Sequence, residues 1–139
     1  MRIRPARIEE REGLEDLQRR ASLANEEHRE VLLAHPDAVE LPAEQIARGQ
    51  VFVAEEGASR VGFAVLVGGE LDGLFVEPEV WRRGIGRALV EEAIHEARRN
   101  GLSLTVLANP AAVPFYEKCG FTAEGEEPTR FGPAIRMSR

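Results

Sequence analysis

The chain has one cysteine, Cys119, one lysine, Lys118, one tryptophan, one tyrosine and three histidines in 139 residues. A single thiol excludes an intrachain disulfide and a cysteine-rich metal site. His28, His35 and His95 form no H-x-x-x-H pair or similar cluster, so no metal is expected. The apolar runs fall far short of the about 18 residues that a bilayer span requires, so no membrane segment is expected. The first ten residues, M-R-I-R-P-A-R-I-E-E, lack the apolar stretch of a signal peptide, which points to a cytoplasmic location. A formal charge of −6 sets aside nucleic-acid binding over a broad face. Basic charge is almost all arginine, which reads as compositional bias rather than function.

What is present suffices for one domain over 1–139, long enough to bury a core without staples. Apolar residues make up 43% and charged ones 30%, well mixed, which argues against disorder. Acid is uneven. Glu26, Glu27, Glu30, Asp37, Glu40 and Glu44 crowd the N-terminal third, while arginines gather around position 83. That layout suits an anionic ligand at one place and a cationic one at another, and equally a solvated acidic surface.

Along the chain, Arg2 to Arg4 reads as a first strand closed by Pro5. Ile8 to Leu23 carries an imperfect helical stripe, and Asn25 is placed to cap a second helix through Leu33. His35 to Pro42, with two prolines, reads as a loop before one or two helical turns from Ala43 to Arg48. Gln50–Glu55, Arg60–Val67 and Glu70–Val76 are expected strands of an antiparallel meander. In the last of these, period two puts Glu70, Asp72, Leu74 and Val76 on one face, with Leu71, Gly73 and Phe75 on the other. A helix follows with Ile85, Leu89, Ala93 and Ala97 in one row, stopped by Asn100-Gly101. Leu102–Leu107 is then expected as a buried strand. Asn109-Pro110 opens a short helix through Lys118, and two weak strands end the chain, one ending by Pro128 and one over Ala134–Met137.

Strand, turn, helix, strand makes a β-α-β unit, so Glu70–Val76 and Leu102–Leu107 should run parallel with a right-handed crossover. The expected fold is α+β: a mixed, mostly antiparallel sheet flanked by helices. The turn itself, V-W-R-R-G-I-G-R-A-L, carries the sharpest signal. Gly84 and Gly86 sit where a helix opens, leaving backbone N–H groups uncovered at the positive end of the helix dipole. Arg82, Arg83 and Arg87 surround that point, and a diphosphate is the natural guest. Leu89 stands where a dinucleotide fingerprint needs a small residue, and the Lys-Ser/Thr pair of a P-loop is absent.

This order of elements resembles the GNAT superfamily of acetyl-CoA-dependent N-acyltransferases over nearly the whole chain. The resemblance is strongest in L-F-V-E-P, R-R-G-I-G-R-A-L, the lone Asn109 and F-Y-E-K-C-G-F. It implies acetyl-CoA as acyl donor, bound by Leu74, Phe75, Val76, Arg82, Arg83, Gly84, Ile85, Gly86, Arg87 and Asn109. The backbones of Leu74 and Val76 would pair with the pantetheine arm as an added strand. Two positions depart from the family pattern: Trp81 stands where Arg or Gln is usual, and Arg82 where a further glycine is often found. Phe115 and Phe121 read as core, and Cys119 as packed and inert.

Acyl transfer to an amine requires a neutral amine, a stabilised carbonyl oxygen and a favoured thiolate leaving group. The resemblance implies Tyr116, the sole tyrosine, as acid toward the departing sulfur, against the plainer role of a buried aromatic. It also offers Glu70 as candidate base, with Asp72 able to act through a water; Leu104 occupies the place of an alternative fifth-strand glutamate. The implied function is acetyl transfer to a primary amine of a small molecule or protein, by an enzyme free to form a homodimer. A non-catalytic acyl-CoA-binding sensor or partner module of the same fold is the alternative. Nothing between Ser22 and Pro42 identifies the acceptor.

Overall fold

The computed structural model describes residues 1–139, the side chain of Glu27 excepted. Seven strands are joined in one sheet of order β1-β2-β3-β4-β5-β7-β6. They are β1 (Arg2–Pro5), β2 (Val51–Glu56), β3 (Ser59–Val67), β4 (Glu70–Val76), β5 (Thr105–Ala108), β6 (Thr122–Thr129) and β7 (Gly132–Ser138). Every pairing is antiparallel except β4 with β5. The fold is therefore α+β with a mixed, mostly antiparallel sheet, as the sequence implies.

Helices cover both faces. On one lie α1 (Arg11–Ala24), α2 (Glu26–Ala34) and α3 (Ala43–Ala47); on the other lie α4 (Ile85–Arg99) and α5 (Val113–Lys118). Strand alternation divides the core accordingly. Val51, Val53, Phe63 and Val65 pack with Leu14, Leu17 and Ile46 under α1 and α3. Phe52, Ala54, Ala64 and Leu66 pack with Leu89, Val90, Ala93 and Ala97 under α4. Glu26, Glu30, Asp37, Glu40 and Glu44 are exposed, and the Glu27 side chain lies outside the described residues. Among the described residues no helix is long and apolar enough to cross a membrane.

Two local features differ from the period-based reading, and both shape the site. In β4 the register slips: Val65 faces Gly73, but Leu66 faces Leu71, so Asp72 is an extra residue. This bulge breaks the alternation. Leu71 joins Leu74 and Val76 on the α4 face, and Glu70 turns to the face of Phe75. The strand after α4 also starts later, at Thr105 rather than Leu102. The reason is a two-bond helix stop, in which Gly101 N–H donates to Arg98 O and Leu102 N–H to Ala97 O. Gly101 sits in the left-handed region at φ 72°, so Leu102 belongs to the helix end and not to the strand.

Candidate active site

The site begins where the sheet opens. β4 and β5 pair only at Glu70–Thr105 and Leu71–Val106, after which no partner strand lies beside β4 on that side. Glu77 N–H donates to Val61 O at 2.9 Å, so Val61–Glu77 is a hydrogen-bonded pair of the β3–β4 ladder. Antiparallel ladders alternate, so the N–H and C=O groups of Leu74 and Val76 turn away from β3 into the gap. One of them is taken: Trp81 Nε1 donates to Val76 O at 2.7 Å. Phe75 points to the opposite face and packs on Phe63, ring centroids 5.3 Å apart.

Beyond β4, a single 3-10 turn (Pro78–Val80) leads into the arginine-rich loop. Arg82 has φ 67°, the one described non-glycine residue in the left-handed region, at the position where the resemblance has glycine. Gly84, φ 84°, is the N-cap of α4, and no side chain caps it. The first helical bond runs from Ala88 N–H to Gly84 O, which leaves the N–H groups of Ile85, Gly86 and Arg87 without an intrahelical acceptor. A Cβ on Gly84 would meet nothing within 4 Å, whereas one on Gly86 would touch Phe115 at 3.5 Å. The amides therefore face open space at a helix N-terminus, with Arg82 and Arg83 exposed beside them.

A cavity of about 410 Å³ joins this loop to the open strand edge. Leu74, Phe75, Val76, Arg82, Gly84, Ile85, Gly86 and Arg87, all expected from the sequence, line it. Arg83 and Asn109 do not. Asn109 Oδ1 accepts from Ala111 N–H at 3.0 Å, so this side chain is a cap, and the residue lines a second cavity instead.

That second cavity, about 270 Å³, lies between α1, α2 and the β6–β7 turn. His28 and Phe75 line both, so the two cavities meet at these side chains. Sequence reading passes over His28 because no local motif marks it; the helix α2 and the strand β4 that bring it to the junction are far apart in the chain. The acidic residues expected to attract a cation are not part of either lining among the described residues.

Tyr116 is buried in α5, in edge-to-face contact with Phe115 and Phe121 at 5.1 and 5.4 Å. Burial pushes its phenol well above the usual value, so the hydroxyl stays protonated. Its neighbour Phe115 lines the larger cavity, while Tyr116 lines neither. Glu70 is at the closed end of the splay, 3.5 Å from Arg136, which also holds Glu127. At about 3.3 Å per residue, the six positions from Glu70 to Val76 span roughly 20 Å, and Glu70 lines neither cavity. Cys119 is buried and its thiol is pushed up by burial, as suits a packed, unreactive side chain. Among the described residues no group of three His, Cys, Asp or Glu is placed to hold a metal ion.

Comparison with known proteins adds a second line. The family described as acetyltransferase (GNAT) domain matches residues 47–123. The protein named as uncharacterized N-acetyltransferase YafP of Escherichia coli (strain K12) is 41% identical over 78 residues, 56% of this chain and 49% of that protein. The peptidyl-lysine N-acetyltransferase YjaB of Salmonella typhimurium (strain LT2) is 46% identical over 66 residues, 47% of this chain and 44% of that protein. The chain thus spans about half the length of the curated relatives it matches. The solution structure of apo YjaB from Escherichia coli aligns over 99% of this chain and 95% of that one, at 31% identity and a TM-score of 0.75.

Proposed function

The chain belongs to the acetyltransferase (GNAT) family, and from that premise we propose that it moves an acetyl group from acetyl-CoA to a primary amine by direct attack. One observation carries this reading: an open strand edge at Leu74 and Val76 runs straight into the uncovered amides of Ile85, Gly86 and Arg87. A strand edge suits the amide-bearing pantetheine arm, and the helix N-terminus suits the diphosphate. The open space over Gly84 leaves room for phosphate oxygens to approach the backbone.

Bound there, acetyl-CoA supplies an activated thioester carbonyl. The backbone of Leu74 holds the arm in register, and Arg82, Arg83 and Arg87 add screened positive charge near the diphosphate. The acceptor enters from the second cavity, so attack takes place at the junction beside Phe75 and His28. For the proton of the incoming amine the chain offers two candidate acceptors, Glu70 on β4 and His28, of which His28 lines both cavities and is the one proposed here. Tyr116, kept protonated by burial, donates a hydrogen bond toward the departing sulfur.

The test uses the sole tryptophan, Trp81, whose indole lines the larger cavity. Acetyl-CoA is expected to change its fluorescence and to raise the melting temperature in proportion to RT ln(1 + [L]/Kd). Thiol release should follow when primary amines are added. No shift at millimolar acetyl-CoA would sink the reading. A shift with no thiol release from any amine would leave a binding module in its place.

A further inference from the structure

The second cavity also restricts what the acceptor can be. Val31, Leu32, Val39 and Phe131 line it together with the neutral polar groups of Gln18 and Ser22. Among the described lining residues His28 is the sole titratable side chain, and no carboxylate is present. Asp37, next to lining residue Ala38, is already committed: Arg130 Nη2 stands 2.8 Å from its carboxylate and holds it below the usual carboxylate range. That ion pair ties the turn at Pro36–Ala38 to the β6–β7 turn, and the His35 ring meets Phe131 at 5.4 Å beside it. The chain thus clasps itself next to the cavity. The volume, about 270 Å³, falls just under the range of roughly 300–1,000 Å³ that houses drug-sized ligands.

Resting on the acyl-transfer reading above, we propose that this cavity accepts a compact primary amine with an apolar body and a single positive charge, and disfavours polyamines and protein lysines. A second ammonium would lose its water against Val31, Val39 and Phe131 with no carboxylate among the described lining residues to pair with. A protein lysine would bring its peptide backbone against the Asp37–Arg130 clasp. For a monoamine the same apolar lining is an advantage, because desolvation favours the neutral form that attacks. The nitrogen bonds to the acetyl carbon as the carbon–sulfur bond breaks. One proton leaves the nitrogen and one reaches the sulfur, giving an N-acetyl amide and the free thiol of CoA.

The experiment measures thiol release by the full chain at saturating acetyl-CoA with phenethylamine, spermidine and an N-terminally blocked lysine peptide. Phenethylamine is expected to give a kcat/KM at least about tenfold above either of the others, and removing one methylene from it should cost about fourfold or more. Phe131→Ala, at an exposed ring, should raise KM for phenethylamine several-fold with little change in kcat. Val31→Glu puts a carboxylate in the lining on a helix that tolerates glutamate, and should shift preference toward spermidine. Equal or better turnover of spermidine or the peptide by the unaltered chain would overturn the proposal. So would failure to turn over phenethylamine while acetyl-CoA still raises the melting temperature, or a preference that neither variant moves. If acetyl-CoA gives no such rise, the acyl-transfer reading itself falls and this one with it.

Discussion

Tyr116 and Arg82 show how one residue's surroundings set what it can do. The Tyr116 phenol is neutral and harder to ionise than usual, while a thiolate with an ordinary pKa near 8.5 leaves tolerably well unassisted. Full proton donation is therefore uphill, and a hydrogen bond is the service the hydroxyl can give. Tyr116→Phe should lower kcat by on the order of 100-fold, the low end for general acids, with acetyl-CoA affinity and melting temperature nearly unchanged. A kcat within about threefold of the unaltered chain would make the hydroxyl merely structural. Arg82 holds a left-handed φ of 67° that costs an L-residue about 1–2 kcal/mol, against about 0.5–1 kcal/mol of extra chain entropy for glycine. Arg82→Gly should thus stabilise by up to about 1 kcal/mol and raise Tm by a few degrees. A lower Tm would show that the Arg82 side chain contributes more than its backbone strain costs.

At the scale of elements, the turn before α4 was legible because its chemistry is local: glycine spacing, helix start and arginines are all within ten residues. The bulge at Asp72 and the late start of β5 were not. A period-two pattern cannot announce an inserted residue, and Leu102 looks like a strand residue until the helix stop that uses it is seen. Glu70 is named from the strand alone, and the structure puts it at the closed end of the splay beside Arg136. His28 carries no local signal, since the segments that line the two cavities with it are distant in the chain. The turn makes its own prediction. Arg83 is exposed, so Arg83→Ala should weaken CoA binding modestly and flatten its salt dependence. Gly84→Val, forced into φ 84° with its side chain over the amides, should weaken binding more at an unchanged salt slope. Equal losses with equal slopes would contradict the primacy of the backbone amides.

For the whole molecule, the amphipathic pattern implies two helical layers about a sheet, but it does not foretell a buried charge cluster that ties β1, the 3-10 turn before α1, β2 and β3 together. Arg4 is buried and donates to both oxygens of Glu10, at 2.9 and 2.8 Å, and to Glu55 at 3.0 Å. Glu10 also accepts from Arg7 N–H at 2.8 Å and from Arg60 at 3.4 Å. The Arg4 hydrogen bonds, above all, lower the Glu10 carboxyl to about 2, and Arg4 itself is held further toward the charged form. The folded pKa of Glu10 lies below its unfolded value of 4.5, so the unfolded chain takes up the proton first as pH falls. The stability from this group is accordingly complete above pH 4.5 and drains away between 4.5 and about 2. Glu10→Gln removes the charge while keeping the shape, leaving Arg4 buried against a weaker partner. The expected cost at pH 7 is about 3 kcal/mol, or on the order of 10 °C in Tm. Melting curves from pH 7 to 2 should show the gap between the two proteins narrowing only within that acid window. Parallel curves would mean that Glu10 is not the group whose protonation loosens the fold.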